Sequence, residues 1–314
     1  MPRFTDIVER VANAPVVPSR LPLVALLTGF TDAGGAVAST VEYMREELDP
    51  QPVAVFRNDA LLDYRARRPI LTFDRDHISE IRAPRLELSL VRDALGQPFL
   101  LLSGYEPDYA WEAFADAVRD LADAFDVASF TWAHAIAMPV PHTRPLTTTV
   151  SGSREELIRA HSAWKPTTQA PATIGHLLEL RLSEDGYPVT GFVALVPHYL
   201  AETEYPATAQ LVLDRFMATT GRVFDLDRVR ESNGEFVARI DEQIAQNEEL
   251  ARMVGVLEGR YDAYMAGERD HAGQDVIGDL DEGDLPSADE LAAELERYLA
   301  SRPADDDKQG GSPF

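Results

Sequence analysis

Short apolar runs alternate with amphipathic stretches through the first two thirds of this sequence, and this alternation limits the possible folds more than any other feature. The run at 21–30, LPLVALLTGF, is followed by a stretch in which Val37, Val41 and Met44 recur at helical spacing. The same patterns predict strands at 52–56, 85–91, 99–104, 127–138 and 189–196, and helices at 108–125, 174–186 and 206–221. The strands at 85–91 and 99–104 are separated by a short turn and are predicted to form a hairpin. Strands that alternate with helices predict an α/β domain with a largely parallel sheet that is covered on both faces.

The pattern changes after Gly221, and this change predicts the domain boundaries. Residues 1–20 are predicted to be an N-terminal extension, and residues 21–221 the α/β domain. From 222 to 302 the apolar positions recur only at helical spacing and acids outnumber bases, which predicts a smaller, acidic, all-helical region. Within that region 271–286 is predicted to be an exposed linker, and 303–314 is predicted to be a disordered tail.

Composition excludes several classes of function. The formal net charge of −24 should repel phosphate backbones and anionic membrane surfaces, so we expect neither a nucleic-acid partner nor a membrane partner. The chain has no cysteine, which excludes a disulfide framework, a thiolate nucleophile and a cysteine-ligated metal. No apolar run is long enough to span a bilayer, and the first twenty residues lack the apolar core of a leader peptide. We therefore expect a soluble, cytoplasmic protein without a cofactor.

Polar residues follow four of the predicted strands, at the positions where α/β proteins bind ligands. Ligands bind in such sheets outside the carboxyl ends of the strands. The loops at 28–35, 103–108, 139–145 and 196–199 occupy these places. The chargeable residues that they carry are the candidate ligand or interface residues: Asp32, Glu106, Asp108, His142, Arg144 and His198.

The first of these loops imitates the start of a phosphate-binding P-loop. Gly29 and Gly34 have the P-loop spacing, but Gly35 and Ala36 stand where Lys and Ser or Thr would bind phosphate and magnesium. Backbone amides at this helix start could still hold an anion, although the charge of Asp32 would oppose it. The favoured interpretation is that Gly34 and Gly35 let the helix pack closely on the sheet or on a neighbouring subunit.

The loop PVPHTRP at 139–145 is predicted to be a rigid turn, because three prolines restrict its backbone. It presents His142 and Arg144 at a strand end. His142 and His198 could form a metal pair with Asp32 or an acid–base pair. The favoured alternative is that they form hydrogen bonds within the loops or across an interface, and no metal site is expected.

The segment at 58–71, NDALLDYRARRPIL, gathers acids and arginines. It could clamp an anion, since guanidinium groups bind carboxylates and phosphates in a bidentate manner. The favoured interpretation is a charged edge whose acids and arginines pair with each other.

Several of these blocks together resemble the proteasome assembly chaperone 2 family in its actinobacterial branch. The resemblance rests on GFTDAGGAVAS, DYRARRP, LLLSGYEPDYAWEAF, PVPHTRP, VPHYLAETEYPATAQLVLDRF and LPSADELAAELERYL, which occur in this order from about Leu21 to Leu299. It implies a three-layer α/β/α sandwich similar to the purine nucleoside phosphorylase fold, followed by a smaller helical region. It also implies homo-oligomers such as trimers, and partners such as proteasome subunits.

Two functional hypotheses follow. The first is a non-enzymatic, homo-oligomeric assembly or interaction protein, with the acidic helical region as a docking surface. It is favoured because neither a nucleophile motif nor a phosphate motif is present. The alternative is a binding protein for an anionic or nucleoside-like molecule, or a hydrolase-like or phosphorylase-like enzyme, with its site at the strand ends. There His142, Arg144 and His198 would contact the ligand, and Asp32 or Glu106 would act as a base. Convergence of these residues on one pocket would favour the alternative.

Overall fold

A computed structural model of the chain describes residues 7–165 and 167–270. These residues all belong to the first of two compact units, Met1–Asp275, and the second unit, Val276–Phe314, lies outside the described residues. The predicted linker at 271–286, the last part of the predicted helical region and the predicted tail at 303–314 lie outside them as well.

Ten strands and eight helices occur in the described residues. The strands are β1 (Val8–Arg10), β2 (Pro22–Thr28), β3 (Gln51–Phe56), β4 (Ile70–Asp74), β5 (His77–Arg82), β6 (Leu86–Arg92), β7 (Pro98–Tyr105), β8 (Ser129–Met138), β9 (Thr147–Gly152) and β10 (Val189–Pro197). The helices are α1 (Ala36–Glu47), α2 (Asn58–Leu61), α3 (Trp111–Ala124), α4 (Glu155–His161), α5 (Ile174–Glu184), α6 (Pro206–Thr220), α7 (Asp227–Ala245) and α8 (Glu248–Asp270). Short 3-10 turns at Ala33–Gly35 and His198–Leu200 follow β2 and β10. Within the described residues no helix is long and apolar enough to cross a membrane.

Eight of the strands form one mixed sheet, in the order β1-β3-β6-β7-β2-β8-β10-β9. Only the three central pairings, β7 with β2, β2 with β8 and β8 with β10, are parallel. The prediction of a largely parallel sheet was therefore wrong. The short turn between β6 and β7 permits only an antiparallel hairpin, because parallel strands need a long crossover. β1, β3 and β9 are antiparallel to their neighbours as well.

The central strands are buried on both faces. Along β2, Leu23 and Ala25 join one hydrophobic core, whereas Val24 and Leu26 join the other. The first core includes Phe114 of α3 and Leu178 of α5. The second core is completed by residues of α1, α6 and α7: Met44, Phe216 and Phe236. Because the side chains of a strand alternate, each apolar run supplies both cores, and helices cover both faces of the sheet.

Four strands and two helices, α2 and α4, were not predicted from the sequence. β1 lies within the predicted N-terminal extension and pairs with β3, so the start of the chain contributes to the sheet. β9, TTTVSG, has few large apolar residues, and α4 follows it closely. β4 and β5 form a separate two-stranded sheet. At three to seven residues each, these elements are too short to give a clear periodic signal.

Gly104 in β7 gives a test of how closely the strands approach. Its φ is +140°, and a Cβ there would overlap the carbonyl oxygen of Arg85 and stand 2.7 Å from the Cα of Leu86. Gly104→Ala should lower the free energy of unfolding by roughly 2–5 kcal/mol, since backbone strain and overlap add. Urea denaturation measures this loss. Gly96→Ala is the matched control, because Gly96 also has a positive φ but no atom within 4 Å of the added Cβ. An equal loss in both variants would contradict the steric argument.

Candidate functional site

Asp32 follows β2 and caps helix α1 with its carboxylate. Its two oxygens accept hydrogen bonds from the backbone amides of Val37, at 2.7 Å, and Ala38, at 2.9 Å. Burial raises the pKa of Asp32, and these two bonds act in the opposite direction. These amides were the candidates for anion binding, and the carboxylate of Asp32 already occupies them. The first loop therefore resembles a phosphate loop in spacing but not in electrostatics.

Gly34 makes close contacts with the segment that precedes α6. Its amide donates to the carbonyl of Ala201 at 2.7 Å, and its own carbonyl accepts from the amide of Tyr205 at 2.9 Å and from the hydroxyl of Thr208 at 3.0 Å. A Cβ at Gly34 would stand 2.7 Å from the Thr208 methyl, and φ is +68°. Gly35, which starts α1, also has a positive φ but more space around it. Gly34 thus serves a close contact within the chain.

Glu106 lies at the end of β7 and fixes the start of α5. One carboxylate oxygen, Oε1, accepts a hydrogen bond of 2.6 Å from the amide of Ile174, the first residue of that helix. The side chain of Arg67 donates to the carbonyl of Glu106 at 2.7 Å. Glu106 is only 8% exposed, and burial raises the pKa of its carboxyl group. A buried carboxyl group at a strand end is here a helix anchor.

Asp108 also binds within the chain. Its Oδ1 forms an ion pair of 3.0 Å with Arg67, and its Oδ2 accepts from the amide of Asp63 at 2.7 Å. Nearby, the hydroxyl of Tyr64 donates to Asp59 at 2.8 Å. Arg67 of the 58–71 segment therefore pairs with an acid at the end of β7, and Asp59 binds a tyrosine, whereas the favoured interpretation predicted pairs between acids and arginines of the segment itself.

His142 is held on both sides of its ring. The Tyr199 hydroxyl accepts from the backbone amide of His142 at 2.8 Å and lies 2.6 Å from Nδ1. On the other side of the ring, Nε2 forms a hydrogen bond of 3.1 Å with Oδ1 of Asp241 in α7. The His142 side chain is only 1% exposed. This histidine therefore connects β8, the turn after β10 and α7.

Arg144 binds α8 in a bidentate manner. Its Nε and Nη2 donate to the two carboxylate oxygens of Asp262 at 2.8 and 2.7 Å, and Nη1 donates to Glu258 at 3.1 Å. The pKa of Arg144 is raised by this carboxylate partner, and that of Asp262 is lowered. The same loop contributes the Thr143 hydroxyl to Glu258 at 2.6 Å, and the carbonyl of Pro145 accepts from Tyr261 at 3.1 Å. The proline-rich loop is thus a clamp for the last two described helices.

His198 lies beside the same tyrosine. Its ring is edge-to-face with Tyr199, with centroids 5.4 Å apart, and it forms a hydrogen bond with the backbone of Met138. Burial lowers the pKa of His198. Its Nδ1 is buried and has no hydrogen-bond partner among the described residues. His142 and His198 are therefore brought together, because the rings of both contact Tyr199.

His134 is a candidate residue that the sequence analysis missed. It lies inside β8, is 7% exposed, and places Nε2 3.2 Å from the hydroxyl of Thr31. Burial, with a smaller effect from His176, lowers its pKa to about 4. His134 and Glu106 line one cavity with Trp132 and other residues, but a water-sized molecule has only about 10 Å³ of space there, enough for about one water. The signal in the sequence that could have identified His134 was its position as a polar residue within a mostly apolar predicted strand.

The predicted site residues do not converge on one pocket. The candidates number eight when Gly34 and Gly35 are counted with the six chargeable residues, and of these Glu106 alone lines the cavity at the strand ends. Asp32 caps a helix, Asp108 pairs with Arg67, and His142 and Arg144 hold α7 and α8. Within the part of the chain that the structure describes, no group of three His, Cys, Asp or Glu side chains could hold a metal ion. Convergence was the feature expected of a ligand site, and its absence weakens that alternative.

This geometry defines an α/β protein in which polar residues at the strand ends hold helices of the same chain. The chain belongs to the PAC2 family, whose model matches residues 26–244. The resemblance recognised in the sequence is thereby confirmed.

Three solved structures share this mixed α/β fold. A Mycobacterium tuberculosis protein of unknown function, Rv2714, is 40% identical over 85% of this chain and 92% of its own, with a TM-score of 0.78. A protein of unknown function from Corynebacterium glutamicum ATCC 13032 is 32% identical over 84% and 99%, with a TM-score of 0.80. The M. tuberculosis proteasome-assembly chaperone homologue Rv2125 is 24% identical over 74% and 100%, with a TM-score of 0.68. A comparison with curated proteins finds no match.

The clamp predicts how α8 responds to a substitution at Arg144. In Arg144→Gln the guanidinium can no longer bind Asp262 and Glu258, so backbone amides of α8 should exchange with deuterium faster than in the unaltered chain. Hydrogen exchange measured by mass spectrometry reports this directly. Arg159→Gln is the control, because the 70% exposed side chain of Arg159 pairs only with Glu155 in its own helix. Unchanged exchange in α8 would show that the ion pairs do not hold it.

The low pKa of His134 predicts a pH dependence of stability. In the unfolded chain this imidazole gains a proton as pH falls through about 6.5, but in the folded chain only near pH 4. Between these values the unfolded state binds more protons, so folding loses stability as pH falls, by about 3 kcal/mol at pH 4 from this group alone.

Urea denaturation at several pH values tests this difference in a pair of chains. His134→Gln lacks the imidazole, so its free energy of unfolding should fall less steeply between pH 6.5 and 4 than that of the unaltered chain. The buried carboxyl groups, which act in the opposite direction, are common to both chains and cancel. Parallel pH curves would contradict a buried, neutral His134.

Proposed function

We propose that this chain is a non-enzymatic assembly protein that associates with itself and with other protein subunits, proteasome subunits among them. One observation carries the proposal: the polar residues at the strand ends are engaged by helices of the same chain. Asp32, Glu106 and the 139–145 loop hold α1, α5, α7 and α8. Strand-end residues used in this way hold helices in position, and they are then not available to bind a substrate.

Membership of the PAC2 family supports a chaperone-like role. The relative described as a proteasome-assembly chaperone homologue supports protein partners. The proposal includes a homo-oligomer, with a trimer as one form, that acts in the cytoplasm. It also includes a three-layer α/β/α architecture similar to the phosphorylase fold, with 222–302 as an acidic helical region that serves for docking.

A second candidate function is the binding of a small anionic or nucleoside-like molecule. The observation that favours it is the cavity at the strand ends, where the buried carboxyl group of Glu106 and the neutral imidazole of His134 line the same space. Expansion of this small cavity would be needed before a nucleoside could enter, because it now has room for about one water.

Reconstitution separates the two functions. The chain is mixed with purified proteasome α and β subunits from its own organism, and complexes are measured by native mass spectrometry. The proposal predicts a complex of defined stoichiometry, formed equally well by Glu106→Gln, which changes the cavity and leaves the surface intact. Absence of any complex, together with a thermal shift caused by inorganic phosphate or a nucleoside and lost in Glu106→Gln, would replace the proposal with the second candidate.

A further inference from the structure

The hairpin of β4 and β5 stands apart from the rest of the fold. It pairs with no strand of the large sheet, and all eleven residues of its two strands are exposed. Five of them are large and apolar, with exposed fractions between 52% and 67%: Ile70, Leu71, Phe73, Ile78 and Ile81. A two-stranded ribbon is marginally stable alone, and clustered exposed apolar residues mark interaction sites.

The register of the hairpin sorts these residues onto two faces. Leu71 lies opposite Ile81, and Phe73 lies opposite Ile78, so these four share one face. A regular strand would place Ile78 and Ile81 on opposite faces, because they are three residues apart. The register shifts between Thr72 and Phe73, and the extra residue on the other strand restores the alignment.

The opposite face is polar apart from one residue. Thr72 lies opposite Glu80, Asp74 lies opposite His77, and Ile70 lies opposite Arg82; these pairs make up the second face. The hairpin therefore has an apolar face without any charged side chain, defined by Leu71, Phe73, Ile78 and Ile81. No helix or strand of the described chain covers it.

Charge is distributed unevenly along the hairpin. The tip carries Asp74, Arg75 and Asp76, whose side chains are 60%, 93% and 92% exposed, so its net charge is −1. The base carries Arg68, Arg82 and Arg85; Arg82 pairs with Glu80 and Arg85 with Glu87, so the net charge of the base is positive. Two such hairpins laid face to face in opposite directions bring the acidic tip of each to the basic base of the other.

We propose that the β4–β5 hairpin is a self-association surface, through which two copies of the chain pack their apolar faces together in antiparallel orientation. The proposal rests on the self-association included in the proposed function and identifies its surface. This arrangement buries four large apolar side chains of each copy without burying a charge, and it pairs opposite charges at both ends. A second copy therefore fits both the apolar face and the charge pattern of the hairpin.

The contact is isologous, so it joins copies in pairs. It gives a dimer of single chains, or a hexamer if it joins two trimers that are built through another surface. In either case, loss of the hairpin contact halves the mass of the assembly. This halving of the mass distinguishes the hairpin contact from a contact that closes a ring, such as a trimer, whose loss does not halve the mass.

Two isoleucines on opposite faces provide the matched test. Ile81→Asp places a charge in the apolar face, whereas Ile70→Asp places the same charge on the polar face; the two isoleucines are 64% and 67% exposed. Analytical ultracentrifugation of the full chain should show that Ile81→Asp weakens association roughly a hundredfold and halves the mass at working concentration. Ile70→Asp should leave both unchanged. At a concentration at which both variants are dissociated, they should have the same thermal unfolding midpoint, because the hairpin is outside the two cores.

Orientation is tested by disulfide cross-linking, for which the cysteine-free chain is well suited. Leu71 lies toward the base of the hairpin and Ile78 toward its tip. An equimolar mixture of Leu71→Cys and Ile78→Cys should form mixed disulfides in preference to disulfides between identical variants. A preference for identical pairs would overturn the antiparallel orientation.

The outcomes separate this inference from the proposed function. If the unaltered chain is monomeric at all concentrations, both the proposed self-association and the hairpin contact are wrong. If it is a trimer, or an oligomer whose mass Ile81→Asp does not change, the hairpin contact alone is wrong. If Ile81→Asp instead abolishes binding to purified proteasome subunits while the mass stays unchanged, the hairpin binds a different protein and self-association through it is overturned.

Discussion

Burial on both faces of the three central parallel pairings is the constraint on which the rest of the structure depends. Neighbouring residues of β2 enter different cores, so most of the chargeable side chains lie at the ends of these strands, and His134 inside β8 is an exception. There each group needs a partner, because an unpaired buried polar group is costly. Helices of the same chain supply the partners: α1 at Asp32, α5 at Glu106, and α7 and α8 at the loop after β8.

The edge of the sheet that binds ligands in many α/β proteins therefore serves here to fix helices. The loop 139–145 illustrates the change of use. His142 and Arg144 have the chemistry of catalytic or anion-binding residues, but Asp241, Asp262 and Glu258 neutralise or orient them. The type of residue at a strand end is consequently a weak guide to function. Whether such a residue binds a ligand or holds a helix depends on which elements pack against the strand end.

The sequence predicted the elements that are long and periodic, and it failed where local pattern and tertiary pairing diverge. α3 and α6 were predicted nearly to their ends, because their apolar stripes and capping residues agree. Strand direction was predicted correctly for the hairpin of β6 and β7, where the turn is short. For the other strands it was not, since apolar runs look alike in parallel and antiparallel pairs. The roles of His142 and Arg144 depend on helices about a hundred residues away, and no local pattern carries that information. The cavity residue His134 was missed because only residues beyond strand ends were considered.

The distance along the chain between the clamp and its helices also has a consequence for synthesis on the ribosome. Arg144 and Asp262 are 118 residues apart. At roughly 5–20 residues per second, about 6–24 s pass between the emergence of the loop and that of its last partner. The last strand of the sheet, β10, ends at Pro197, so α7 and α8 can pack onto its polar edge only after all the strands of the sheet have been synthesised.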